Sequence, residues 1–215
     1  MYHYSMISAR QEDPRANQKA RTRQAIIDAA RRLQERGLAP TVAAAASEAK
    51  VSRATAYRYF PTQQALLIEL GAERLYQPIE KLLAEMTSPD AEERLVSLID
   101  AYAEAFEHDE PRIRTALGVY QDTWLRAHRD GPATPPRLRQ GRRMRWLDTV
   151  LQPLALPEDR RQRLKTALAL AIGSDSLIIL KDVCGLSNPE ASAVLRRTAL
   201  ALLRAELSEE ADPRT

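Results

Sequence analysis

The chain has 215 residues, of which 44% are hydrophobic and 28% are charged. That balance is typical of a folded protein with one sizeable core and a small appended domain, and it excludes disorder throughout. Because the chain contains only 7 glycines and 2 phenylalanines while Ala, Leu, Arg and Glu dominate, its composition favours helices over strands. The single cysteine, Cys184, excludes an intramolecular disulfide framework, and its apolar neighbours predict a buried thiol.

Positive charge is concentrated at the start of the chain. Residues 1–60 contain 11 lysines and arginines against 5 acidic residues, whereas the remainder contains 21 against 24. A basic head on a slightly acidic body predicts a polyanionic partner such as DNA, since neutralised phosphates supply most non-specific affinity. The opening residues lack the apolar core of a signal peptide, and no stretch approaches the roughly 20 apolar residues of a membrane span. We therefore expect a cytoplasmic protein.

The first segments in chain order are an arm and a helix. Residues 1–17 are polar and without periodicity, which predicts a flexible basic arm. From Lys19 onwards apolar residues recur at helical spacing until Gly37, which predicts the first helix.

Three further helices are marked by their caps. Thr41, Ser52 and Thr62 are each suited to begin a helix, because a short hydroxyl side chain can accept a bond from a first-turn amide. The helix after Ser52 is short, since Pro61 disfavours helical geometry in the residue before it. The helix after Thr62 is expected to bend at Pro78. Its predicted inward residues are Leu66, Leu67 and Leu70.

The second half of the sequence predicts longer amphipathic helices separated by prolines. One begins at Ser88–Asp90, and a loop at 129–136 separates two others. A single long helix is predicted to end near Gly185, and Asn188 begins the last one. The predicted inward stripes contain Leu95, Ile99, Tyr102 and Phe106; Ile113, Leu117, Tyr120 and Trp124; Leu147, Leu151 and Leu154; Leu164, Leu168, Ala171, Ile172 and Ile179; and Leu195, Ala199 and Leu202.

The run TVAAAASEAKVSRATAYRYF, residues 41–60, has the layout of a helix-turn-helix. Two short helices joined by a tight turn can pack closely where Ala46 and Ala49 lie, and Val51 can fill their shared core. The second helix can then enter the major groove of DNA. The hydrogen-bonding side chains that it would present are Ser52, Arg53, Thr55, Tyr57 and Arg58.

Together with Pro61–Thr62 and Ala65–Leu67, this run resembles the signature of the tetracycline-repressor (TetR) family, over the range from Lys19 to Leu70. The resemblance implies an all-α protein, with a three-helix DNA-binding domain at 18–63 and a larger helical ligand-binding and dimerisation domain at 64–210. It implies a ligand-responsive repressor that binds an inverted-repeat operator as a homodimer, without a catalytic activity, cofactor or metal. The residues that match the family pattern are Thr41, Ala46, Ala49, Val51, Ser52, Thr55, Tyr57, Tyr59 and Phe60.

The resemblance also implies two sets of DNA contacts: phosphates at Thr41, Tyr57 and Tyr59, and base edges at Arg53, Ala54 and Thr55. The chemistry of these side chains agrees, because arginine can bind guanine through two hydrogen bonds and a methyl group can contact the methyl of thymine. Aromatic packing within a small domain remains the alternative for the two tyrosines. For Arg21 and Arg23 the alternative is a solvated helix face.

Three positions depart from the family pattern. Lys50 replaces the usual turn glycine, so the turn either strains a non-glycine residue or follows a different path. Ala45 replaces an isoleucine and lightens the small core. Gln63 replaces a lysine at the start of helix four, which removes a charged phosphate contact. The amides at the N-terminus of that helix can still bind a phosphate. These departures affect the affinity for DNA rather than the mode of binding.

For the second domain the resemblance implies an effector cavity and a dimer interface. Such cavities are mainly apolar with a few polar anchors, although aromatic residues at helical spacing also form ordinary core. Asp175 falls on a predicted apolar stripe, where its carboxylate would need an arginine, the other subunit or a cationic ligand. The candidate effector residues are Tyr102, Phe106, Tyr120, Trp124, Trp146 and Asp175. The alanine-rich helices near 158–185 and 188–207 are the expected dimer interface, with apolar area supplied by Leu195 and Leu202, and a glutamate at Ala199 is expected to split the dimer. Packing within one subunit is the alternative.

Other features carry weaker implications. The arginine cluster from Arg137 to Arg145 would attract an acidic effector or nucleic acid, or else form a solvated face. His108 and His128 have no companions at metal-ligand spacing, and no nucleophile with a base and an orienting partner is evident. An architectural DNA-binding protein without an effector, and an enzyme with a helical body, are therefore the competing classes. A sealed second core would favour the architectural class.

Overall fold

The computed structural model describes residues 14–129 and 141–208. Within these ranges all regular structure is helical, which confirms the predicted all-α fold. Residues 1–13 of the predicted arm lie outside the described residues, as do residues 130–140, which contain most of the predicted loop at 129–136 and Arg137 and Arg139 of the arginine cluster. Residues 14–17 of the predicted flexible arm are instead helical. The helices are α1 (Pro14–Glu35), α2 (Val42–Glu48), α3 (Arg53–Tyr59), α4 (Gln63–Ala84), α5 (Ala91–His108), α6 (Glu110–Arg129), α7 (Arg142–Val150), α8 (Glu158–Ala171), α9 (Ser174–Asp182) and α10 (Asn188–Ser208).

The chain divides into two compact units, Met1–Glu73 and Arg74–Thr215. The domain bounds expected from the sequence, 18–63 and 64–210, stay a prediction. In the parts of the chain that the structure covers, no helix has both the length and the apolar character required to cross a membrane.

The first unit has a small core in which alanine replaces larger residues at the helix crossings. Because alanine adds only a methyl group, α2 and α3 can pack closely against α1. Leu67 is exposed, so the prediction that it points inward is wrong. The core consists of Ile26, Ile27, Ala30, Leu33, Val42, Ala45, Ala46, Ala56, Phe60, Leu66 and Leu70.

The three predicted N-terminal caps of this unit are present. The side chain of Thr41 accepts a hydrogen bond from the amide of Ala44 at 3.0 Å. Ser52 accepts one from the amide of Thr55 at 3.1 Å, and Thr62 accepts one from Ala65 at 3.1 Å. Each cap satisfies an amide that the helix itself leaves without a partner.

The second unit is built around α5, which packs against α7 and α10, while α8 packs against both of those helices. The predicted start of α5 is two residues early, because Asp90 rather than Ser88 caps it, accepting from the amide of Glu92 at 2.8 Å. The inward stripe of α10 consists of Ala191, Leu195, Ala199 and Leu203.

The predicted long helix before Gly185 is two helices, because the chain breaks at Ile172 and Gly173. Ile172 is extended and ends α8. The guanidinium of Arg143 occupies the space that a Cβ on residue 173 would fill, and it donates to the carbonyl oxygen of Ala169 at 2.5 Å. A side chain from α7 therefore supplies a partner for the end of α8, and glycine leaves room for it.

This break overturns several predicted positions. Asp175 lies in the first turn of α9, where its side chain is about half exposed and 3.9 Å from Arg143, so it does not continue the stripe of Ala171 and Ile172. Ile179 is 55% exposed, and Cys184 is exposed rather than buried. The end of α6 is also more open than predicted, since Trp124 is 45% exposed.

Candidate nucleic-acid interface

The turn between α2 and α3 adopts the strained form that the sequence allowed. Lys50 has a φ of 57°, in the left-handed region that favours glycine. Its amide donates to the carbonyl of Ser47 at 3.1 Å, and the amide of Val51 donates to that of Ala46 at 3.0 Å. This pair of bonds is the usual helix ending in which a left-handed residue reverses the chain. The turn thus keeps the expected path at the cost of backbone strain in Lys50.

Helix α3 has an inward edge and an outward face. Ala56 and Phe60 are buried in the core of the first unit, and they fix the rotation of the helix about its axis. Thr55 and Tyr59 are half-buried, and Tyr59 packs against that core. The side chains that face solvent are Ser52, Arg53, Ala54, Tyr57 and Arg58.

Local contacts orient part of this outward face. The hydroxyl of Ser52 donates to the hydroxyl oxygen of Thr55 at 2.8 Å, so the helix cap also holds a candidate base-reading side chain. The guanidinium of Arg58 lies 5.6 Å from the centroid of the Tyr59 ring. A cation above an aromatic face is attracted to it. Tyr59 therefore combines the packing role with support for Arg58.

Several basic residues of the first unit are occupied by internal ion pairs. Arg23 binds Glu69 at 2.9 Å and lies 5.0 Å from the centroid of the Phe60 ring. Since Glu69 is only 2% exposed, Arg23 is a structural residue, and the solvated face considered from the sequence is wrong for it. Arg31 pairs with Glu73 as well as with Asp28.

A second internal group joins α1 to α2. Glu48 accepts from Arg36 at 2.8 Å and from Arg32 at 3.3 Å. These hydrogen bonds, with Arg36 the larger contributor, lower the pKa of Glu48. Glu48 therefore stays ionised and keeps both arginines on this face of the unit.

The remaining basic side chains of the first unit are available to a polyanion. Within the described part of this unit, the following residues are exposed and form no ion pair with a carboxylate: Lys19, Arg21, Lys50, Arg53 and Arg58. Three of them lie in the turn or in α3. Positive charge without internal partners is thus concentrated on the helix-turn-helix.

Gln63 forms a contact that sequence reasoning missed. Its side-chain oxygen accepts a hydrogen bond from the amide of Val42 at 3.2 Å, and its side-chain nitrogen donates to the carbonyl of Pro40 at 3.0 Å. The two bonds bracket Thr41, the proposed phosphate ligand. The only signal in the sequence is the departure from the usual lysine, because the contact spans more than 20 residues.

In the second unit the structure brings together two of the candidate effector residues. The ring centroids of Tyr102 and Trp146 lie 6.1 Å apart, and Tyr76 stands 5.9 Å from Tyr102 and 5.4 Å from Trp146. Tyr102 shares a buried 2.7 Å hydrogen bond with Ser174, and the Trp146 indole donates to Glu80 at 2.8 Å. Burial raises the pKa of Tyr76, with the neighbouring Tyr102 adding to the effect. We call Tyr76, Tyr102 and Trp146 the aromatic triad.

Three of the other candidate effector residues lie apart from this contact. Phe106 is buried one turn further along α5, with the ammonium of Lys181 5.8 Å from its ring centroid. Tyr120 and Trp124 lie on α6, half-buried and exposed respectively. Sequence reasoning missed Tyr76, which lies on α4 two residues before Pro78, and the helix continues through that proline to Ala84. The spacing of Tyr76, Ile79 and Leu83 is the signal that marks this inward face.

No metal centre is evident at either location. Across residues 14–129 and 141–208, no group of three or more His, Cys, Asp or Glu side chains is arranged to hold an ion.

Replacing Lys50 with glycine should stabilise the protein. Glycine adopts positive φ without a Cβ clash, so we expect the free energy of unfolding to rise by about 1 kcal/mol, measured by urea denaturation followed by circular dichroism. Lys50→Arg, which keeps both the charge and the strain, serves as the control and should leave the midpoint unchanged. A glycine variant no more stable than the parent would contradict a strained turn in solution.

One family match agrees with this geometry. Residues 26–70 match the family described as bacterial regulatory proteins, tetR family, and the matched segment contains the whole helix-turn-helix. No curated protein is significantly similar to the chain in sequence. Among solved structures, the chain is similar to the crystal structure of a TetR transcriptional regulator from Rhodococcus sp. RHA1, with 20% identity and a TM-score of 0.49 over 85% of this chain and 96% of that one. The match at residues 26–70 identifies the first unit as a DNA-binding domain of the kind found in the TetR family of transcriptional regulators.

Proposed function

We propose that the chain is a cytoplasmic repressor that binds an inverted-repeat DNA operator as a homodimer and releases it when a small molecule binds the second unit. The observation that carries the DNA-binding part is the outward face of α3. Arg53, Ala54 and Tyr57 face solvent there, while buried Ala56 and Phe60 hold the helix in place. A rigid helix with exposed donors on one face is suited to the major groove.

The side chains on this face divide into base-reading and phosphate-binding groups. Arg53 is near the N-terminus of α3, the part of a recognition helix that contacts base edges, and its guanidinium can bind guanine through two bonds. Ala54 and Thr55 offer methyl groups for thymine. Ser52, Thr41, Tyr57, Arg58 and Tyr59 carry the donors that we assign to the phosphate backbone.

A homodimer is required because one short recognition helix reads too few base pairs to find an operator among the many sites of a genome. The support for a joining surface is a set of exposed apolar side chains on α8, on α10 and at the end of α9. Leu170 is 83% exposed and Val183 is 78% exposed, and Ile179 and Val194 are also open to solvent. Exposed apolar side chains of this size mark interaction surfaces when they lie together.

The position of Ala199 requires a correction to the expected interface. Ala199 and Leu195 are buried within their own unit, so neither can meet a partner. Ala201 and Ala205 of α10 are instead exposed, and they follow Val194 by two and three helical turns. We place the interface on this side of α10 together with the end of α9.

The effector response is supported by the aromatic triad. Three rings from α4, α5 and α7 meet beside the buried hydroxyls of Tyr102 and Ser174, which is the mainly apolar lining with a few polar anchors that small molecules use. Tyr76 is only half-buried, so one ring of the triad reaches the surface. A molecule that binds here can release DNA only by favouring the conformation that binds DNA less well. Asp175 lies near Arg143 beside Ser174, where it would contact a polar part of the molecule.

The first test concerns the recognition helix. Arg53→Ala and Tyr57→Ala should each weaken binding by about 1–3 kcal/mol, because each removes a contact without disturbing the buried edge of α3. The DNA ligand is obtained by selection from a random pool with the wild-type protein. Arg112→Ala, at an exposed arginine of the second unit, is the matched control and should bind normally. Full affinity in both α3 variants would exclude this helix from the interface.

The second test concerns the dimer. Val183→Glu should separate the subunits, because the two-fold axis would bring like charges close together in an apolar contact. Operator binding should be lost as a consequence. Sedimentation velocity gives the oligomeric state. Leu125→Glu adds the same charge at an exposed leucine of α6 and should remain dimeric. A Val183 variant that remains dimeric and binds DNA would place the interface elsewhere.

The third test concerns the effector. In a Trp124→Phe background, Trp146 is the remaining tryptophan, so its fluorescence should change with any molecule that releases the selected DNA. Tyr102→Phe should lower the affinity for that molecule several-fold, because one hydrogen bond contributes about 1 kcal/mol, and it should leave the affinity for DNA unchanged. A molecule that releases DNA without changing the fluorescence of Trp146, and whose affinity is unaffected by Tyr102→Phe, would contradict an effector site at the aromatic triad. Failure of any compound to release DNA would favour an architectural role.

A further inference from the structure

The side chain of Gln63 joins the start of α4 to the backbone on both sides of Thr41. Its oxygen accepts from the amide of Val42, and its nitrogen donates to the carbonyl of Pro40. Val42 is the first residue of α2 and is buried, so its amide has neither an intrahelical partner nor open access to water. The carboxamide of Gln63 satisfies this amide across a gap of 21 residues.

The chemistry of the contact is specific to a carboxamide. Asparagine and glutamine side chains both donate and accept, whereas lysine only donates and an ionised glutamate only accepts. The cap formed by Thr41 is separate, since its hydroxyl oxygen accepts from the amide of Ala44. Thr41 and Gln63 therefore share the first-turn amides of α2, and each leaves the other's bond intact.

The helix that carries Gln63 is itself anchored within the first unit. Glu69 pairs with Arg23 at 2.9 Å, and Glu73 accepts from Gln24 at 2.6 Å and also binds Arg31. These contacts hold the beginning of α4 against α1, next to the buried ring of Phe60. The backbone that carries Gln63 is therefore held in place by contacts between α4 and α1.

We propose that Gln63 is a positioning residue for operator binding, which clamps residues 40–42 so that Thr41 is held ready for a phosphate. The residue acts through the backbone around Thr41 and does not itself contact DNA. The inference rests on the proposed phosphate contact of Thr41. Its physical basis is preorganisation, because a contact group that is already in place does not lose further freedom on binding.

The test uses the full-length protein and DNA selected with the wild type. Gln63→Ala should bind about tenfold more weakly, with the dependence on salt unchanged because no charge is lost. Gln64→Ala is the matched control, since Gln64 is the next residue of α4 and is also exposed. Normal binding by the Gln63 variant, or equal losses in the two variants, would overturn the proposal.

A double-mutant cycle with Thr41→Ala identifies the route of the effect. If Gln63 acts through Thr41, Gln63→Ala should cost less than about twofold in the Thr41→Ala background. Additive losses would mean that Gln63 acts independently, and would overturn the proposal. Gln63→Glu keeps the acceptor for Val42 and thus the start of α2, so it can be measured even if the alanine variant folds poorly. Because its added charge also repels phosphate, its affinity is compared with that of the wild type at high salt, where this repulsion is screened, and equal affinity there would overturn the proposal.

Gln63→Lys separates a clamp from a phosphate ligand. A clamp loses its acceptor in this variant, so binding at high salt should be weaker than in the wild type. Tighter binding than the wild type at every salt concentration would show a direct phosphate contact at this position and overturn the proposal. The same measurements separate the clamp from the proposed function. If DNA affinity depends on Tyr57 but not on Gln63, only the clamp proposal fails. If the wild-type protein selects no DNA at all, both proposals fail.

Discussion

A carboxylate buried in a protein must be neutralised by a nearby cation, and Glu69 imposes this requirement on the N-terminal unit. Its partner is Arg23, which also lies over the ring of Phe60 at the end of the recognition helix. One ion pair therefore joins α1 to α4 at the residue that anchors α3. The presentation of the outward face of α3 depends on this arrangement, because α2 and α3 themselves contribute mainly alanines (Ala45, Ala46 and Ala56) to the core, and Phe60 is the large side chain that anchors the end of α3.

The same pairing divides the basic residues into two roles. Some arginines form internal salt bridges and so do not add to the surface charge; their partners are Glu48, Glu69 and Glu73. The basic residues left without such partners in the described part of the unit include Lys50, Arg53 and Arg58, which surround the turn and α3. Net charge alone describes the unit as basic; the ion pairs decide where that charge is available to phosphates. Lys50 contributes to this face while it holds a backbone conformation that glycine would adopt more easily.

In the second unit, one arginine determines how two helices meet. The guanidinium of Arg143 fills the space beside Gly173 and donates a hydrogen bond to the carbonyl oxygen of Ala169, at the end of α8. The chain then changes direction, and α9 begins at Ser174. That restart brings the hydroxyl of Ser174 to Tyr102, next to the ring of Trp146. It also turns Ile179 and Val183 towards solvent. The proposed effector site and the proposed dimer surface thus depend on the same break.

The sequence by itself determined the all-helical fold, the three caps at Thr41, Ser52 and Thr62, and the helix-turn-helix between residues 41 and 60. These features follow from local rules, since a cap or a turn is set by residues a few positions apart. Only the tertiary structure decided that Arg23 is internal, that Ala199 is buried, that Tyr76 joins Tyr102 and Trp146, and that Gln63 brackets Thr41. Each of these depends on partners tens of residues away, and periodicity indicates that a residue faces inward without indicating what it meets there.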